Sequence, residues 1–498
     1  MLNFNTKKNI MKSSSRYISI MILVAVVLFS ACKKHEYYQN NPNNPSTSTP
    51  ALLLTNILVS TFNADPVSTS YSDRHLTYYE RTNTSVNYGW AQAGFGAYDM
   101  LRQIKDLDEK AEASGEQNYR GLAKFFRAIY FIKLTETFGD VPYSESLKAL
   151  QGFPTPKYDL QKDIYKGVLA ELDEANSMLD ASKGSMTGDI IYGGNASTQI
   201  LKWKKLINAF TLRTLIHLSK KENDADLSIK TKFQNIISNP TKYPLLTGNT
   251  DNGQLVYNTS AANNAYPSFQ SLSLQTSTSL EKGFVDILKS LTDPRLFQVA
   301  EPITGQPANV YTSYAGVNGG LSISNQQAAS ITASRIKSRY YNNAINEPLI
   351  FLGYAEQEFL IAEAIARNWV TGAGTAQQHY SNGITASMSV YNISGAPVTT
   401  YLAQPNVVYD PSNAISQIIT QKYISFFMNS GWEAFYEQRR TGIPNFNVGP
   451  GTLNGGKIPK RWMYPQNEFS LNAENVKAAI QRQFGGVDDT NQLMWILQ

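Results

Sequence analysis

Along most of this chain, apolar and polar positions alternate with the period of amphipathic helices. Over 97–113 Ala97, Leu101, Ile104 and Leu107 recur at three- and four-residue spacing, which lines one helical face. Residues 118–138 carry a stripe of Leu122, Phe125, Phe126, Ile129 and Ile132, with Tyr130 and Leu134 loading another side. That distribution predicts a helix buried on more than one face. Between 159 and 180, Tyr165, Val168, Leu169, Leu172 and Leu179 oppose the acidic Glu171, Asp173 and Glu174. Residues 199–219 set Trp203, Leu206, Ile207 and Phe210 in a similar arrangement, and further helices are expected at 226–237, 353–369, 376–391, 412–428 and 431–440. Helices of similar length in neighbouring pairs predict a mainly α fold of stacked hairpins. No crisp repeat of tetratricopeptide length is present, so such an array would be degenerate.

The helical pattern lapses twice. From roughly 240 to 350, Gly, Asn, Ser and Thr become dense and aromatics recur at Tyr257, Tyr266, Phe269, Tyr311, Tyr314, Tyr340 and Tyr341. The stretch 443–470 is similar, with several Gly and Pro. Long irregular segments in a helical body are functional or disordered, and this aromatic density argues for function.

The N-terminus follows a different plan. Lys7, Lys8, Lys12 and Arg16 precede an apolar run from Ile18 to Phe29 broken by Ser19, and small residues Ser30 and Ala31 lead to Cys32, the one cysteine. A basic start, a short apolar core and a small-residue boundary make a secretory signal peptide, with Met11 an alternative start. The apolar run is shorter than the roughly 20 residues that span a bilayer. Leu28-Phe29-Ser30-Ala31-Cys32 is similar to a lipobox, with Phe29 in place of the usual aliphatic residue. Residues 1–31 are therefore expected to be removed and Cys32 to be lipidated, holding the protein to membrane lipid. The polar, turn-rich stretch 33–50, with Asn40-Asn41-Pro42-Asn43-Asn44-Pro45-Ser46, is expected to be a flexible tether. Residues 51–498 would then form a single helical domain carrying the two loop-rich insertions.

Cleavage changes the reading of charge. The leader holds four basic residues and no acidic one, so the formal charge falls from +5 to +1. No nucleic-acid partner is indicated. With no remaining cysteine, and His35, His75, His217 and His379 far apart, disulfides, zinc sites and Cys-His nucleophiles are not expected. A glycoside hydrolase needs a carboxylate pair about 5–10 Å apart in a cleft. Asp488 and Asp489 sit in a glycine-rich turn, and Glu356, Glu358 and Glu363 are expected on solvated helix faces, so no enzyme is expected.

The ordered motifs of the mature chain resemble those of SusD/RagB-type outer-membrane nutrient-binding lipoproteins, in the branch called SusD-like 2. They are Asn43-Asn44-Pro45-Ser46 with Thr49-Pro50-Ala51-Leu52-Leu53-Leu54-Thr55, and Leu122-Ala123-Lys124-Phe125-Phe126-Arg127-Ala128-Ile129-Tyr130 with Phe138-Gly139-Asp140-Val141-Pro142-Tyr143. Pro156-Lys157-Tyr158-Asp159, Gln421-Lys422-Tyr423, Glu433-Ala434-Phe435 and Arg439-Arg440-Thr441-Gly442 follow. Pro459-Lys460-Arg461, Tyr464-Pro465-Gln466-Asn467-Glu468 and Gly485-Gly486-Val487-Asp488-Asp489 complete the series. The resemblance implies tetratricopeptide-like hairpins packed with a loop-rich ligand-binding region, and no cofactor. It further implies capture of an oligosaccharide without chemistry upon it, delivery to a SusC-like TonB-dependent transporter, and display on the outer membrane facing outward. Peptide or other nutrient binding on the same scaffold, or a surface adhesin, are the alternatives.

The resemblance transfers no ligand residues, so candidates rest on composition: rings to stack on a pyranose, with Asn or Arg for its hydroxyls. One cluster is Tyr78, Tyr79, Arg81, Asn83, Tyr88 and Trp90, although Trp90 could equally seal a helix junction. The other is Tyr311, Tyr314, Tyr340 and Tyr341, with Asn309 and Asn318 close in sequence.

Overall fold

In the computed structural model, which describes residues 48–261 and 264–498, the apolar stripes become twelve α-helices of nine residues or more. They are α1 (Pro50–Phe62), α2 (Ala97–Ser114), α3 (Gln117–Phe138), α4 (Gln161–Met178), α5 (Ala196–His217) and α6 (Ile229–Ser238), followed by α7 (Lys282–Ser290), α8 (Tyr354–Ala366), α9 (Ala376–Val390), α10 (Ala414–Ser425), α11 (Glu433–Thr441) and α12 (Ala473–Phe484). Two short antiparallel pairs add little area: β1 (Leu76–Tyr78) with β3 (Thr278–Leu280), and β2 (Gly253–Leu255) with β4 (Leu349–Leu352). The signal peptide, Cys32 and nearly all of the tether lie outside the described residues.

Sequence-specific signals terminate the helices. Gly115 takes φ +73 at the end of α2, and its amide returns to the carbonyls of Ala111 and Glu112. Gly139 ends α3 at φ +94, where a Cβ would lie 2.2 Å from Gln483 Oε1. Asp140, the next residue, then accepts from Gln161 N at 2.8 Å at the start of α4. The Phe138–Tyr143 motif is thus an architectural corner.

Two hydrophobic cores result. The first, between α1 and α6, gathers Leu107, Leu122, Phe125, Phe126, Trp203 and Leu206. The second gathers Tyr88, Phe284, Tyr340, Tyr423, Phe427 and Phe435, largely from the segments without clear helical spacing. Helix α7 is one element missed in the irregular region; Phe284, Val285 and Leu288 give it a buried face too short to stand out as a period.

Helix α8 serves both cores, with Leu360, Ile361 and Ala364 facing the first and Phe359 and Ala362 the second. This corrects the expectation for its acids. Glu356, Glu358 and Glu363 are 2%, 4% and 0% exposed, because a helix packed on both sides has no solvated face to give them. Each is paired instead. Glu356 receives Arg213 through Nε at 2.7 Å and Nη2 at 2.6 Å, and Glu363 receives both Arg440 terminal nitrogens at 2.6 and 2.8 Å. Glu358 accepts from Asn382 Nδ2 and faces His379 Nδ1, both at 2.9 Å.

These pairs belong to a larger buried network. Arg439 of α11 bonds Glu136 of α3, which lies 3.1 Å from His217 Nδ1, while His217 Nε2 lies 3.0 Å from Glu433. Lys422 donates to Glu437 at 2.9 Å, and Arg440 bridges Glu437 and Glu363. Five carboxylates (Glu136, Glu356, Glu363, Glu433 and Glu437) face Arg213, Lys422, Arg439 and Arg440, the partly exposed Arg367 also reaches Glu363 at 2.8 Å, and His217 lies between Glu136 and Glu433. Burial by itself would lower the His217 pKa; Glu433 and Glu136 outweigh it and hold the imidazolium to about 9. Burial would raise Glu136, and Arg439 and His217 bring it down to about 2.

A raised histidine pKa stabilises the fold fully below the unfolded value near 6.5 and is lost as pH climbs through about 9. Urea titrations should therefore show stability falling between these limits by up to about 3 kcal/mol more in the native chain than in His217→Gln. Arg440→Ala leaves buried Glu437 with Lys422 alone and buried Glu363 with only the partly exposed Arg367, and should cost about 3 kcal/mol in the same assay at neutral pH.

Candidate ligand-binding cleft

The turn between α10 and α11 places the first element of the site. Met428, Ser430 and Gly431 have φ of +57, +59 and +60, a tight reversal that β4 holds in place. Ser430 N donates to Ile350 O at 2.8 Å, and Ile350 N donates to the Asn429 side chain at 2.9 Å. The reversal sets Trp432 at the start of α11, half-buried.

The second element is the loop 83–96. Asn83 Oδ1 accepts from the amides of Ser85 and Val86, while Arg74 Nη1 donates to Val86 O at 2.6 Å and its guanidinium lies 4.3 Å over the Tyr88 ring. The third is the loop after Gly451. Leu453 N donates to Asn87 O at 2.7 Å, Met463 N to Ala91 O and Ala93 N to Met463 O, both at 3.2 Å. Trp462 N donates to Thr137 O of α3 at 3.0 Å.

This stitching brings together three tryptophans distant in sequence. Trp90 and Trp462 stack at 3.9 Å between ring centroids and 11° between planes. Trp432 stands edge-on to both, at 5.6 and 4.9 Å, and Phe435 backs Trp90 at 4.9 Å. All three indoles keep part of their surface in water.

A hollow opens on either side of Trp432. One, of about 140 Å³, is lined by Phe62, Tyr130, Phe210, Phe351 and Tyr436, with the buried Arg213 and Glu433 also on its wall. The other, of about 350 Å³, is lined by Gly94, Gly96 and Ala97 together with Trp432 and Trp462. Lys133 and Tyr436 line both. Burial would raise the Glu433 carboxyl; Arg213 at 3.5 Å and His217 keep it below the usual range, ionised and engaged.

The candidate residues are distributed unevenly around this cleft. Trp90 lines neither hollow itself and stands behind Trp462, which lines the second. Tyr88 is 1% exposed and backs Trp90 edge-on at 6.1 Å, with its hydroxyl donating to Ser72 O at 2.8 Å. Tyr78 is buried in β1 and donates to Glu80 at 2.6 Å; Tyr79 is half-buried, donating to Thr276 O, and Arg81 is exposed. Tyr311 and Tyr314 pack on Phe297, whereas Tyr340 packs on Phe427 and Tyr266. Tyr314 and Tyr340 are at most 1% exposed, since the irregular region folds into a core of its own; Tyr341 is half-buried. Buried rings of this kind offer a ligand little surface. Trp432 and Trp462 went unmarked in the sequence, although each abuts a family motif; partners lying 342 and 372 residues from Trp90 leave no local signature.

A helical-hairpin scaffold, two cores and a preformed aromatic cleft define a ligand-binding protein. The chain belongs to the SusD-like 2 family, described as starch-binding and associating with the outer membrane, whose model matches residues 42–465. Two SusD homologues from Bacteroides fragilis have similar structures. One is 36% identical with a TM-score of 0.81, the other 32% identical with a TM-score of 0.84; each match covers 91% of this chain and 100% of the homologue. A chitin-binding protein is 26% identical with a TM-score of 0.74, over 90% of this chain and 100% of its own. A search of the curated proteins returned no match. Among the described residues, no helix is long and apolar enough to cross a membrane.

The stacked indoles should give an exciton couplet in circular dichroism. Trp90→Phe and Trp462→Phe should each reduce it to what Trp432 and the remaining indole give, and Trp369→Phe should leave it, whereas an unchanged couplet in all three variants would contradict the stack.

Proposed function

We propose that this protein is a non-catalytic capture lipoprotein that binds an oligosaccharide in the tryptophan cleft and passes it to a SusC-like TonB-dependent transporter. The observation that carries the reading is that Trp432 lines both hollows and Trp462 the second, with Trp90 stacked behind Trp462. Indole faces match the apolar faces of pyranose rings, and a rigid ring loses little conformational freedom on binding. The family's starch-binding description and the chitin-binding relative support a glycan over other nutrients. Glu433 is the one carboxylate lining either hollow, and it is held by Arg213 and His217, which disfavours two-carboxylate hydrolysis. Lipidation at Cys32 would anchor the protein to the outer membrane facing outward, with the tether to Pro50 allowing it to move over the transporter mouth.

A peptide is the second reading, favoured by the apolar hollow between Phe62, Phe210 and Phe351, which suits a hydrophobic side chain. Titration calorimetry against neutral and acidic oligosaccharides and a peptide panel separates the two. Trp432→Ala should weaken saccharide binding at least tenfold, about 1.4 kcal/mol. Peptide binding alone would overturn the glycan reading, and reducing sugar released from any bound glycan would overturn the non-catalytic one. Cys32→Ala should yield a soluble, ligand-competent protein that no longer supports uptake; retention in membranes lacking the transporter would contradict the anchor.

A further inference from the structure

Helix α3 carries four basic residues, and three are neutralised. Arg120 pairs with Asp108 and Glu112, Lys124 with Glu174, and Arg127 with Glu171. Lys133 is the exception: no ion pair involves it among the described residues, and its ammonium lies 5.8 Å from the Tyr130 ring centroid. It is also the one whose position lines both hollows of the cleft.

The surroundings isolate this charge. Arg213 is committed to Glu356, and Glu433 is committed to His217 and Arg213. The second hollow has no acidic lining residue, and its wall at Gly94, Gly96 and Ala97 carries almost no side chain. Lys133 remains water-accessible, yet the protein crowding it pushes its pKa below the usual lysine value with no carboxylate to offset the effect. A cation held in a concave site without a counter-charge is stabilised by an anion supplied from outside.

We propose that the cleft selects an anionic oligosaccharide, in which a uronate carboxylate or a sulfate ester adjoins the ring lying on the tryptophans, and that Lys133 confers the selectivity. This deepens the glycan reading above and rests on it. The tryptophans supply affinity shared by neutral and charged sugars; Lys133 adds a charge-assisted hydrogen bond that only the charged ones can accept.

The test is calorimetry of the full-length protein in detergent with tetragalacturonate, a sulfated galactan tetrasaccharide and neutral galactotetraose. At low salt at least one anionic probe should bind ten times or more tighter than the neutral one, with the gap narrowing at high salt. Whichever of the two anions binds better identifies the source of the charge. Lys133→Met keeps an apolar stem against Tyr130 and should erase the preference, weakening the anionic probe at least ten times more than galactotetraose; Lys133→Arg should restore it. Equal binding of all probes, or equal weakening of neutral and anionic probes by Lys133→Met, overturns the proposal. Anionic and neutral binding that are both lost in Trp432→Ala but both indifferent to Lys133→Met overturn the proposal and leave the glycan reading standing. Failure of the native chain to bind any of the three, with binding of a peptide instead, overturns both.

Discussion

The fold depends on keeping ten charged groups out of water at the junction of its two cores. Glu136, Arg213 and His217 come from the hairpin side, Glu356 and Glu363 from α8, and Lys422, Glu433, Glu437, Arg439 and Arg440 from α10 and α11. Apolar packing alone would tolerate some sliding between the two sides. Buried ion pairs do not, since each displaced partner leaves a charge in a medium that cannot solvate it. His217 lies between Glu136 and Glu433, whose charges outweigh its burial and hold its proton well above the ordinary value.

This junction explains why the chain's most recognisable motifs say so little about ligand. Lys422, Glu433, Arg439 and Arg440 all belong to the network, and Arg461 and Asp488 form another pair at 2.5 Å. Their spacing in sequence marks the family because buried charges admit few substitutions. The same spacing conceals burial: Glu356, Glu358 and Glu363 look like solvated positions on an amphipathic helix until the second core is placed against α8.

Local pattern was sufficient for the elements that local physics decides. Helices α2 to α5 fall where three- and four-residue spacing puts them, and Gly139 ends α3 as its motif position requires. The site was legible only in part. Trp90 emerged because it stood among other aromatics, but Tyr88, Tyr314 and Tyr340 had the same composition and are core residues. What separates a binding ring from a packing ring is the partner on its other face. For Trp90, a candidate only, the neighbours are Trp432 and Trp462, placed by hydrogen bonds between distant loops.

The junction and the cleft are physically continuous. Trp432 immediately precedes Glu433, which joins the charge network on one side and lines the hollow beside Phe62 and Phe351 on the other. Lys133 lies one turn before Glu136 and Thr137 on α3; Glu136 enters the network, and Thr137 O receives Trp462. The groups that would touch a ligand are thus adjacent to groups that cannot move without uncovering a buried charge. A cleft anchored in this way is set before the ligand arrives, and the ordering of side chains that weakens many loop-built sites is largely complete in the free protein. The tryptophans therefore need no rearrangement to receive the saccharide proposed for them. Any motion that the proposed delivery required would fall to the body as a whole rather than to the cleft.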